Sequence, residues 1–149
     1  RCDMILTTEE VCKPEGETLT KKDLLWYGAP GGTAWQKRPV PLASEPICSF
    51  RPLMMGALDK AGIPWDVVVD SDSSRTVEAT VSADLAILAQ LEGTAIGDLE
   101  PIQHGGALPE LGSNCINLYI NETKASEVLD ALANLVRRSY RVTPLALTA

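Results

Sequence analysis

The run from residue 47 to residue 90, ICSFRPLMMGALDKAGIPWDVVVDSDSSRTVEATVSADLAILAQ, constrains the fold more than any other stretch. It reads as strand, helix, strand, helix, strand. Residues 47–50 form a short apolar run, predicted as a strand. The next segment places Met54, Ala57, Leu58 and Ala61 at the i, i+3, i+4, i+7 spacing of one buried helical face. Pro52 is tolerated in that helix's first turn, where its missing N–H would have no partner, and Gly62 with Pro64 supplies the stop. Residues 65–69, rich in Val, predict a second strand of the kind buried on both faces of a parallel sheet, closed by the polar cluster 70–74. Residues 75–83 predict a second helix with Val77 and Val81 on its inner side and Ser73 or Ser74 as its cap, and residues 85–89 a third strand. Strands joined by single-helix crossovers predict parallel pairing and an α/β fold. Open parallel sheets bind ligands outside the carboxyl ends of their strands. That rule points to Ser49, Phe50 and Arg51 and to the turn at Ser71–Ser74.

Elsewhere the pattern is sparser. Residues 2–8 predict a buried strand ending in the hydroxyls of Thr7 and Thr8, residues 9–17 a loop, and residues 24–27 a strand. The Gly/Pro stretch 28–32 is the expected hinge or lobe boundary. Residues 35–46, with three prolines, read as a surface loop. A short edge strand interrupted by Pro101 is expected at 99–102, and a longer one at 115–120, able to cross back between lobes. The last element is an amphipathic helix over residues 124–140. Its apolar face is Ala125, Val128, Leu129, Leu132, Leu135, Val136 and Tyr140, with Arg137 and Arg138 at the negative end of its dipole.

Composition excludes some functions. A net charge of −7 over 149 residues repels polyanions, so this segment is a poor grip for DNA or RNA by itself. No apolar run is long enough to span a membrane, and no leader pattern is present, so a soluble, cytoplasmic chain is expected. Cysteines at 2, 12, 48 and 115 form neither a CxxC pair nor a metal cluster and read as reduced thiols.

In order and spacing, several motifs resemble the effector-binding domain of LysR-type transcriptional regulators. They are Asp3-Met4-Ile5-Leu6-Thr7-Thr8-Glu9, then Leu24-Leu25-Trp26 followed by Gly28-Ala29-Pro30-Gly31, and then Cys48-x-Phe50-Arg51 leading to Ala57-Leu58-x-x-Ala61-Gly62-Ile63-x-Trp65. The match continues through Asp70-Ser71, Val77-x-Ala79-x-Val81-x-Ala83-x-Leu85-x-Ile87, and Leu108-Pro109-x-Leu111. The resemblance implies a periplasmic-binding-protein-like (type 2) fold of two α/β lobes with a small-molecule cleft between them. Residues 30–115 would be one complete lobe and residues 1–29 with 116–149 part of the other. The rest of that lobe, a linker helix and a winged helix-turn-helix would lie in an N-terminal part this fragment lacks. It also implies effector contacts at Thr7, Thr8, Ser49, Phe50, Arg51 and Ser71, and a homo-oligomer, dimer or tetramer, that touches DNA only through the absent domain. The family commonly has Gly-Leu-Gly before the third strand; this chain has Asp84-Leu85-Ala86, which predicts a left-handed turn at Asp84.

Weighed against this, Ser49 could simply cap a helix and Arg51 make a structural ion pair. The 70–74 cluster lacks the spacing of a calcium loop, and no metal or other cofactor is expected. His104, the single histidine, lies beside two glycines with no nucleophile elbow in sequence, so no enzyme activity is expected. The expected function is sensing of a small, anionic effector. The alternatives are a transport-type solute-binding protein of similar fold and a regulator domain sensing oxidants through Cys48. With part of a lobe missing, the strand at 2–8 and the last helix should expose apolar surface and favour self-association.

Overall fold

The computed structural model describes residues 2–94, 97–121, 123 and 126–141. The chain divides into two compact units: a central one, Asp23–Ser113, and a flanking one built from the segments up to Lys22 and from Asn114 onward. The chain passes between them inside two strands, β2 (Gly16–Gly28) and β7 (Ser113–Ile120).

In the central unit β3 (Val40–Ser44) pairs in parallel with β4 (Trp65–Asp70), with a bulge after Leu42. Helix α1 (Arg51–Lys60) joins them, and α2 (Ser74–Ser82) follows β4. Ile87 bridges in parallel to Leu42 before the chain enters β5 (Leu88–Leu91), which runs antiparallel to the second half of β2. The short β6 (Glu100–Pro101) pairs with the end of β2. Helix α2 packs on β3 and β4, closing a core of Tyr27, Ala43, Val77, Val81, Ala86, Leu88 and Leu99. Burial of Met54 and Leu58 on α1, and of Val77 and Val81 on α2, follows the predicted helical stripes, but Ala57 is only half-buried and Ala61, expected on the buried face, is exposed at the C-cap. Gly62, at φ +66°, ends α1 as expected, and Ser73 caps α2 by accepting from the Thr76 N–H.

Several strand expectations are corrected. Residues 47–50 are turn, not strand, and Ile47 is almost fully exposed; the true strand is β3, inside the supposed 35–46 loop, which also holds one helical turn at Ala34–Gln36. Pro41 hid it. The carbonyl of Pro41 accepts from the Ile87 N–H, so its missing donor points to the same side, ahead of the point where the ladder to Ile87 begins. Strand β4 is not buried on both faces: Trp65, Val67 and Val69 are half-buried on one face, while Asp66, Val68 and Asp70 on the other are exposed. The third strand starts at Leu88 rather than Leu85, which is exposed.

The predicted left-handed turn at Asp84 is present, at φ +55°. Its carboxylate accepts from the N–H groups of Thr33 (2.9 Å) and Ala34 (2.9 Å) and from the Thr33 hydroxyl (3.2 Å). Partial burial opposes the charge, but these donors and Lys37 outweigh it and hold the pKa below the usual aspartate value. A Cβ on Gly32 would lie 2.5 Å from an Asp84 carboxylate oxygen, so glycine there lets the carboxylate approach. The 28–32 stretch is thereby pinned within the central unit, Gly31 also donating to Glu100.

The flanking unit has β1 (Met4–Glu9) antiparallel to β7, with Glu9 in the strand rather than the expected loop. Helix α3 spans Glu127–Arg141. Lys124 and Ala125, placed in this helix by sequence, lie outside the described residues. Leu129 and Ala133 are buried, but Val128, Leu132, Leu135 and Tyr140 are exposed, as are Ile5 and Leu6 on β1. None of the described helices is long and apolar enough to cross a membrane.

Candidate functional site

The central unit carries a recess of about 240 Å³ at the ends of β3 and β5 and the start of α1. Its apolar lining is Ala43, Phe50, Met54, Val77, Leu88 and Ala89; its polar lining is Ser44, Glu45, Cys48, Ser49 and Gln90. The placement has a local cause. Strand β3 ends at Ser44, and the turn at Pro46 and Ile47 brings the chain back so that Cys48, Ser49 and Phe50 rim the recess before α1 begins. Two backbone bonds set this turn, Cys48 N–H to Glu45 O (3.2 Å) and Arg51 N–H to Cys48 O (3.1 Å).

Ser49 and Phe50 therefore lie where the strand-end rule pointed, although the strand itself lies earlier in the chain. Phe50, not Ser49, is the helix-capping residue, and no side chain caps α1. Arg51 does not line the recess. Its guanidinium grips the Asp70 carboxylate at 2.7 and 3.3 Å, tying the start of α1 to the end of β4. The hydrogen bond to Arg51 also lowers the Asp70 pKa, while the Arg51 pKa rises by the same bond. Ser71 accepts from the Ser73 N–H (3.2 Å), as part of the turn into α2, and lies outside the recess lining.

Sequence reasoning missed Glu45 and Gln90. Glu45 accepts a short hydrogen bond from the Ser74 hydroxyl. The Oε1 of Gln90 is buried without a hydrogen-bond partner. Leaving such an acceptor unpaired costs on the order of 1–3 kcal/mol. Glu45 stands before Pro46 in a stretch read as loop, and Gln90 ends a run read as strand; only the position of the true strand β3 would have connected them.

In the flanking unit, Thr7 and Thr8 lie on β1 opposite Asn117 and Ile116. The Thr7 hydroxyl donates to Glu9 (2.9 Å), which also accepts from the Asn117 amide (3.0 Å) and the Tyr119 hydroxyl (2.7 Å). Hydrogen bonding from Tyr119, then Asn117 and Thr7, lowers the Glu9 pKa, and the same bond pushes that of Tyr119 up to about 12. Gly16 makes room for this cluster, since a Cβ there would lie 2.5 Å from the Tyr119 ring. His104 is a loop staple, its Nδ1 facing the N–H groups of Gly106 and Leu108 at 3.3 Å. All four thiols are free, and the described residues hold no cluster able to bind a metal.

No protein-family model and no curated protein matches the chain in sequence. Solved structures do match in fold. The C-terminal domain of a probable LysR family regulator from Rhodococcus sp. RHA1 superposes with a TM-score of 0.62 at 17% identity, over 90% of this chain and 73% of that one. The regulatory domain of Synechocystis PCC6803 CcmR, in complex with 2-PG, gives 0.66 at 9% identity, over 96% and 76%. Vibrio fischeri DarR in complex with DNA gives 0.64 at 12% identity, over 91% of this chain and 50% of that one. Taken with the parallel β3–β4 pair, its helical crossover and the two units, these likenesses show that the chain has the α/β, periplasmic-binding-protein-like fold of the effector-binding domains of LysR-family regulators.

Proposed function

We propose that the chain senses a small-molecule effector for a LysR-type transcriptional regulator, with the recess of the central unit as its effector site. The observation that carries this reading is the recess itself. It joins an apolar floor to polar groups at strand ends, in a fold whose solved examples include a regulatory domain holding 2-PG. Ser49 and Phe50 touch the ligand in this proposal, and Arg51 and Ser71 hold the surrounding turns. Thr7 and Thr8 are proposed as contacts from the first lobe. That lobe is assigned residues 1–29 and 116–149, and the second lobe residues 30–115.

The domain works in the cytoplasm as a homo-oligomer and catalyses no reaction. DNA contact belongs to a separate domain, since the charge of −7 opposes a polyanion and the matched DarR structure, of which this chain spans half, includes DNA. Exposed Val128, Leu132 and Leu135 on α3 favour self-association. Sedimentation velocity at tens of micromolar should show species larger than the monomer; a single monomer boundary would refute that part.

The test of the site is calorimetric titration of a small-molecule panel into the protein. A ligand whose affinity falls about tenfold, or about 1.4 kcal/mol, in Phe50→Ala and in Ser49→Ala supports the assignment. Binding indifferent to both substitutions would place the effector elsewhere.

A further inference from the structure

The chemistry of the recess narrows the class of effector, on the condition that the recess is the effector site. The anionic ligand expected from sequence rests on Ser49, Arg51 and the helix start beside them, and Arg51 is committed to Asp70 through both its terminal nitrogens. Among the described residues no Lys, Arg or His lines the recess. At the start of α1 the Arg51 N–H is bonded to Cys48 O, Pro52 has none, and the Met54 N–H is bonded to Phe50 O, so an anion would have only the neutral N–H groups of Ser49, Phe50 and Leu53. From α2 only Val77 reaches the lining, and the Ser74 hydroxyl of its first turn is already spent on Glu45.

What this wall does offer is a carboxylate. Among the described residues Glu45 is the one acidic or basic side chain of the lining, and it is hydrogen-bonded to the neutral Ser74 hydroxyl. Phe50 adds an aromatic side chain, whose ring face attracts cations. An anion placed here would meet a carboxylate, which a cationic donor would satisfy.

We infer that the effector presents an ammonium group to this wall, with its apolar body against Phe50, Met54 and Leu88. The ammonium donates to Glu45. Its charge, together with the ligand's apolar part, is what the recess selects.

The test uses three probes that share one ring and differ only in the polar head: benzylamine, protonated at neutral pH, benzyl alcohol and benzoate. Each is titrated into the full chain at pH 7 by calorimetry. Benzylamine should bind at least tenfold more tightly than benzoate, with benzyl alcohol between them. Glu45→Gln should abolish the preference, and Phe50→Ala should weaken benzylamine several-fold. Circular dichroism of each variant separates loss of binding from loss of fold. Benzoate binding more tightly than benzylamine, in a Phe50-dependent manner, would overturn the ammonium inference while leaving the recess as the effector site. Failure of all three to bind, or binding insensitive to both Phe50→Ala and Glu45→Gln, would overturn the site assignment and the inference with it.

Discussion

The central and flanking units use the same kinds of secondary structure but are held together differently. The central unit closes on itself: Leu24, Val40, Leu42, Met54, Leu58, Val81 and Ile87 are all at or near complete burial, supplied by strands and by both helices. The flanking unit covers only part of its apolar surface. On α3, Leu129 is buried while Val128 is 78% exposed and Leu135 55%, and Ile5 on β1 is 47% exposed. In place of a closed core it has a polar cluster, in which Glu9 gathers Thr7, Asn117 and Tyr119, and an ion pair between Arg137 and Glu17 at 2.7 Å. An amphipathic helix written into a sequence does not by itself make a core; it needs a second layer on the side where its stripe points.

The sharpest way to break this contrast is truncation of one leucine in each unit. Leu58→Ala should cost about 2–5 kcal/mol, the usual range for emptying a filled core site. Leu135→Ala should cost far less, about 0.5 kcal/mol, because more than half of its surface is in water already. Urea unfolding of the two variants checks this, and equal losses would mean that α3 is as well covered as α1.

Smaller in effect is Asp84→Ala, which removes a charged acceptor from three donors and should cost about 1.5–3 kcal/mol. Asp84→Gly should cost less, since glycine removes the left-handed strain of about 1–2 kcal/mol even as it loses the same bonds. A urea midpoint for the glycine variant below that of the alanine variant would show that backbone strain is not what matters at this turn.

The mildest test is pH. The Glu9 pKa is lowered by folding, so its contribution is complete above the ordinary value of 4.5 and is lost as pH falls through the lowered native value. The Tyr119 pKa is raised, so its contribution is complete below 10 and is lost as pH rises through about 12. Amide exchange of β1 and β7 should therefore quicken at both limits before that of β3 and β4. Tyr119→Phe should remove a step near pH 12 from the ultraviolet titration of the protein. Exchange that quickens in all strands at once would show the two units opening together.

How far the sequence could be read depended on the kind of signal. Helices α1 and α2 were legible to within a residue or two because caps, Pro52, Gly62 and a 3.6-residue stripe all agreed. Strand β3 was not, because Pro41 masks it and its partners are set by long-range pairing with residues 65–70 and 87. The same error concealed the site. Ser49 and Phe50 were found through a strand that does not exist at residues 47–50, and Arg51 was read as a ligand group although its partner, Asp70, stands 19 residues away at the next strand end. Glu45 and Gln90 carry no local pattern at all; they meet only because β3 and β5 end side by side.

The turn at Asp84 has an evolutionary consequence. Its carboxylate occupies the space a side chain at residue 32 would need, and its hydrogen bonds hold the backbone at Thr33 and Ala34 in return. Aspartate at 84 therefore depends on glycine at 32, but glycine at 32 does not depend on aspartate at 84, because a Cβ there would also lie 2.9 Å from the Ala29 carbonyl oxygen. Among relatives of this chain, aspartate at 84 should occur only with glycine at 32, while residue 84 should vary more freely than residue 32.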